Sequence, residues 1–178
     1  MAHTAKAVAN YFIERAIAEG KPITPMKAQK LVFFAHGWNL AIRDEDLIDE
    51  PIEAWKYGPV VRSLYGCLAE FGNQPITKPI EEFRVNTKAE GGWSFARYSP
   101  SVTDEPDPDL QTTRDLLDKV WEIYGKYTAV QLSNLSHAPG SPWDQVNTEH
   151  GGSLPNRAKI DPAIIKDFFV KQSEKNKK

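Results

Sequence analysis

Four histidines, one cysteine and a dense run of acids are the residues of this chain whose chemistry could reach beyond packing. His36, His137 and His150 would make a metal or acid–base centre if the fold brought them together. None of them, however, stands one helical turn from a second histidine with a carboxylate between, as an HExxH zinc site requires. Asp44, Glu45, Asp46, Asp49 and Glu50 form an acidic run, but a calcium loop of the EF-hand kind needs glycine at its sixth position. Counted from Asp44 that position is Asp49, so the run reads as a solvated turn. His150-Gly151-Gly152 has the outline of an oxyanion-hole turn, yet no G-x-S-x-G supplies a nucleophile and no G-x-x-x-x-G-K cradles a phosphate. Cys67, between Leu64 and Leu68, is expected to be a buried, inert thiol. These readings assign no catalytic residue, no metal ligand and no cofactor, and the chain is expected not to be an enzyme.

The residues with most to offer a partner lie in Pro51-Ile52-Glu53-Ala54-Trp55-Lys56-Tyr57-Gly58-Pro59-Val60, where two large amphipathic aromatics flank a lysine. Trp55 and Tyr57 have two readings. They seal the core from one face of a strand packed on the second helix, or they stay accessible and act as the kind of aromatic anchor that dominates protein–protein interfaces. Lys27 and Lys30, three residues apart, could belong to a DNA-reading helix. With 22 basic against 24 acidic residues and a net charge of -2, the chain lacks the basic excess on which phosphate contacts depend, so nucleic acid is not the expected partner.

The elements that must position these residues follow from spacing. Ala5, Val8, Phe12 and Ala16 share one helical face, and Gly20 closes that helix. Thr24 and Pro25 supply a cap and a first-turn proline for a second helix, whose stripe is Leu31, Phe34, Ala35 and Trp38. Ile52 to Tyr57 alternates as a short strand, and Gly58-Pro59 is expected to open a third helix carrying Val60, Val61, Leu64, Leu68 and Phe71, closed by Gly72. Glu82–Thr87 and Trp93–Ser99 flank Gly91-Gly92 as a β-hairpin inside an insertion over about 75–108. Helical spacing returns from Leu110 to Tyr124 and from Thr128 to about His137, and 138–159 reads as a loop. Asp161-Pro162 starts a last helix with Ile164, Ile165, Phe168 and Phe169, and Lys171–Lys178 is polar enough to fray, with 173–178 a disordered basic tail.

A length of 178 residues with 40% hydrophobic side chains fits one core-bearing domain, placed at 1–172, in a mainly α (α+β) fold: a single compact helical domain with a small antiparallel sheet. One cysteine fits a reducing compartment, and no stretch approaches the roughly 20 apolar residues that span a bilayer, so a cytoplasmic protein with no membrane partner is expected.

Three blocks carry a family resemblance: Ile23-Thr24-Pro25-Met26-Lys27-Ala28-Gln29-Lys30-Leu31, Phe34-Ala35-His36-Gly37-Trp38, and the segment Glu50 to Val60. Together they resemble the Panacea domain of SocA-like, phage-associated antitoxins, closely over 7–72 and again at Leu132 to His137 and Pro142-Trp143. The resemblance implies an antitoxin of bacterial or prophage origin that binds and neutralises a toxin encoded beside it, family members pairing with unrelated toxins. Its alternatives are an adaptor that delivers the toxin to an AAA+ protease such as ClpXP, and a DNA-binding autoregulator. It marks Pro25, Gln29, Lys30, Leu31, His36, Gly37, Trp38 and His137 as structural. The candidate partner-binding residues are Trp55, Lys56, Tyr57, Gly58, Pro59 and Trp143.

Overall fold

Thr24 accepts a hydrogen bond from Lys27 N and Pro25 fills the first turn, so the second helix starts where its cap dictates. The computed structural model describes residues 2–87 and 91–175. This helix, α2 (Pro25–Arg43), is the axis of the molecule: every residue from Ala28 to Gly37 is buried. A helix buried on all sides must be wrapped on all sides. Around it pack α1 (Ala5–Ala18), α4 (Leu110–Tyr124), α5 (Ala129–Ser136) and α7 (Pro162–Lys175). Gly37 gives α7 its seat, because a Cβ there would lie 2.1 Å from the Phe169 ring. Phe169 meets Phe33, Phe34 and Trp38 edge-on at 5.1–6.1 Å, and Trp38 donates to the Tyr124 hydroxyl at 2.9 Å.

The remaining elements are β1 (Ile52–Trp55), β2 (Gly58–Val61), α3 (Arg62–Leu68) with a 3-10 turn at Ala69–Phe71, β3 (Glu82–Thr87), β4 (Trp93–Tyr98) and α6 (Pro142–Glu149). They complete a mainly helical body, as expected, with two small antiparallel sheets where one was expected. The second of these is the expected hairpin, one residue shorter at its end. Asn10 holds its base, accepting from Ile80 N and donating to the Ile80 and Pro100 carbonyls at 2.7–3.0 Å. β3 and β4 form an arm whose side chains are mostly exposed, whereas Ile76, Ile80 and Val102, also inside the expected insertion, are in the core.

Four expectations are corrected. Gly58-Pro59 does not open a helix: it begins β2, which pairs with β1 across a Lys56-Tyr57 turn, and α3 starts only at Arg62. Branched Val60 and Val61 favour that strand, and proline fits an edge where no ladder donor is needed. Within 138–159, α6 forms because Ser141 accepts from Asp144 N and Pro142 occupies the first turn. The last helix runs through Lys175, so 171–175 are helical, and 176–178 lie outside the described residues. Cys67 is only half-buried, because Leu64 and Leu68 take the core-facing positions of α3 and leave the thiol at its edge.

Candidate partner-binding site

The β1–β2 hairpin is pinned by side chains that grip its backbone. On the α2 side, Gln29 donates to Val61 O and accepts from Val61 N, both at 2.9 Å, so one side chain satisfies both polar groups of a buried strand residue. One residue on, Lys30 is 1% exposed and donates from Nζ to Pro59 O at 3.1 Å. Burial pushes its pKa down to about 7. Above it, Gly58 has φ +104°, and a Cβ would lie 2.6 Å from Lys30 Nζ and 2.7 Å from Ser136 Oγ. No side chain fits there.

From α5, Ser133 donates to Tyr57 O at 3.1 Å, and His137 Nε2 lies 3.3 Å from Lys56 O while Nδ1 lies 2.6 Å from Ser133 O. From α6, Trp143 donates to Trp55 O at 2.7 Å and packs on the His137 ring at 4.1 Å. The carbonyls of residues 55, 56, 57 and 59 thus each face a polar side chain from a surrounding helix. On the outer edge of β1, Ala54 N donates to Ala158 O at 2.7 Å and Ile160 N to Ile52 O at 2.8 Å.

What this mount presents is aromatic and cationic. Tyr57, for which a core-facing and an accessible reading were both open, sits in the turn and is 61% exposed; Tyr65 on α3 is 56% exposed. Trp55 is half-buried beside Tyr65, ring centroids 4.8 Å apart, with the Arg62 guanidinium over its face at 5.3 Å. Its Nε1 donates to the buried Glu53 carboxylate, which also takes two hydrogen bonds from Arg62 at 2.8 and 3.1 Å. Burial raises the Glu53 pKa, but the bonds from Arg62 and Trp55 outweigh it and hold the carboxyl below its ordinary value.

A groove lies on each side of the tip. One, of about 480 Å³, runs between the tip, the start of α2 and α3, and is lined by Met26, Tyr57, Val60, Tyr65 and Leu68 among others. The other, of about 520 Å³, lies between the tip, α6 and the 152–157 segment, with Trp55, Arg62, Trp143 and Arg157 in its walls. Among the described residues no carboxylate lines either groove, although the chain is acidic overall.

All six candidate partner-binding residues therefore fall in one place, together with Gln29, Lys30 and His137 from the structural set. Leu31, Gly37 and Trp38 serve the core instead, and Pro25 fills the first turn of α2 at the wall of the first groove. His36 does too: it is 3% exposed, accepts weakly from Ile48 N at 3.5 Å, and burial pushes its pKa down to about 4 against the pull of Asp46. His150 bonds to Val146 O, so the histidines do not converge. Nothing in residue type or spacing marks Ser133, Ser136, Arg62 and Tyr65 as site residues, because serine capping and helical spacing carry no site signal. Nor does anything mark His3, buried between Glu105 at 2.9 Å and Asp107 at 3.1 Å, which ties the N-terminus to the segment before α4.

The family model described as "Antitoxin SocA-like, Panacea domain" matches residues 29–144, from the Gln29 clamp to the residue after Trp143. The chain belongs to the SocA-like Panacea family. Among curated proteins it is similar to Antitoxin SocA of Caulobacter vibrioides (strain NA1000 / CB15N), 32% identical over 170 residues that cover 93% of this chain and 81% of that protein. No solved structure matches it. In this Panacea chain the matched region holds the tip and the helix side chains that grip it, while α1, α7 and the 152–160 segment beside β1 lie outside it. No helix among the described residues is long and apolar enough to cross a membrane.

Proposed function

We propose that this chain is the antitoxin of a toxin–antitoxin pair and neutralises a protein toxin by direct contact at the β1–β2 tip. The observation that carries the reading is the mount itself: four carbonyls of a two-residue turn and its flanks are held by α2, α5 and α6, so Tyr57 and Lys56 are displayed at little further entropic cost. Family membership and the name of the Caulobacter relative support an antitoxin role. Exposed tyrosines beside an arginine-backed tryptophan are the residue types that anchor interfaces. The absence of carboxylates from both grooves favours a toxin face that is apolar with acidic groups around it.

The test co-expresses the chain with the reading frame adjoining its gene, then measures growth, binding and melting for the native protein, Tyr57→Ala and Tyr65→Ala. The neighbour should arrest growth alone and be silenced by the native chain. Each variant should weaken binding by about 2 kcal/mol or more with melting unchanged, as loss of an anchor does. Unchanged affinity in both variants would remove the tip from the interface. Loss of the toxin protein itself on co-expression, reversed when an AAA+ protease is deleted, would select delivery over masking.

A further inference from the structure

The β3–β4 arm presents an unusual face. The register Phe83↔Arg97, Val85↔Phe95 and Thr87↔Trp93 puts those six side chains on one side of the hairpin. Phe83 and Phe95 are each 69% exposed, Trp93 76% and Val85 49%. The two strands pack chiefly on each other, and neither has a further strand on its outer edge. A two-stranded hairpin alone in water is marginal and gains from a covering layer. None of these residues touches the tip site, so the function proposed above leaves the face unused.

We propose that this face is covered by the same face of a second copy of the chain, the two arms stacking about a two-fold axis through the Val85/Phe95 pair. The residues themselves favour a copy. With the axis at the central pair, Val85 and Phe95 meet Val85 and Phe95, and the base pair Phe83/Arg97 of each arm covers the outer pair Thr87/Trp93 of the other. Arg97, whose guanidinium already lies 5.5 Å over Phe83, is thereby carried to the partner's exposed indole, a second cation–π surface. The two Arg97 side chains end up at opposite ends of the stack, so no like charges meet. The area agrees with a reversible contact: three largely exposed aromatics contribute roughly 400–500 Å² per copy, against about 800 Å² for a standard stable interface.

Sedimentation velocity of the purified chain from about 1 to 500 µM, the range of weak interfaces, reads this directly. The native chain should pass from monomer to dimer, with a dissociation constant on the order of 1–100 µM, and Phe95→Glu should stay monomeric throughout with its melting transition unchanged. A second measurement does not depend on how Phe95→Glu folds. In a Cys67→Ser background, Val85→Cys should be joined into a covalent dimer by a bis-maleimide spanning about 10 Å, the separation of stacked sheets, whereas Asn86→Cys, on the opposite face of the arm, should not. A native chain that remains monomeric at the highest concentration overturns the proposal. So does a dimer that survives Phe95→Glu, or cross-linking that is equal at the two cysteines. A monomeric native chain whose toxin affinity falls with Phe95→Glu would assign the face to the toxin instead.

Discussion

Two ionisable side chains on α2, Lys30 and His36, are held away from water, and each should write its burial into the pH dependence of folding. His36 has its pKa pushed from 6.5 to about 4, so the fold favours the neutral ring. That contribution is fully present above pH 6.5 and is lost as pH falls towards 4, where the native ring also protonates. Relative to His36→Gln, urea denaturation of the native protein should show a loss of about 2–3 kcal/mol between pH 6.5 and 4.5, at 1.36 kcal/mol per unit. Lys30 adds its slope in another window: native about 7 against 10.5 unfolded, it makes stability rise with pH between those values. The same denaturation series from pH 7 to 9.5 should show the native protein gaining on Lys30→Met by up to about 1.4 kcal/mol per unit; parallel curves would mean that the ammonium is solvated. By residue type alone both side chains belong in water. Their burial comes from the wrapping of α2 on every side, which no stripe on a single helix reveals.

The short elements were the ones least legible in one dimension. Helices α1 and α2 announce themselves through caps and a 3.6-residue stripe, α4 through its stripe alone, and β3 and β4 through alternation about a glycine pair. Gly58-Pro59 suits both a strand start and a helix start, and the tie is broken by Gln29, a residue 32 positions from Val61 that takes both of its backbone groups. Gln29→Ala strands a buried N–H and C=O together and should cost about 2–4 kcal/mol. Hydrogen exchange at the Val61 amide should speed up in this variant while amides in α4 keep their protection; equal change everywhere would mean that the clamp is not local. The α6 helix was hidden because its apolar side is only Pro142, Trp143 and Val146, too few to show a helical stripe in a stretch dominated by prolines and glycines.

At the level of the whole molecule α7 closes the body over α2, with Phe169 at its keystone. Phe169→Ala removes a ring packed on Phe33, Phe34 and Trp38 and should lower stability by about 3–5 kcal/mol, seen as a lower denaturant midpoint with little change in slope. A loss below 1 kcal/mol would mean that the neighbours collapse into the gap. The candidate tip residues were gathered from sequence blocks far apart in the chain, but that they share one mount required the three-dimensional arrangement of α2, α5 and α6. That mount touches Trp55, Lys56 and Tyr57 through their carbonyl oxygens, and every amino acid has one. The socket is therefore blind to the letters it holds up. Positions 56 and 57 can be rewritten without loosening the frame beneath them, so a lineage confronted with a new adversary can change what it displays while inheriting the scaffold intact.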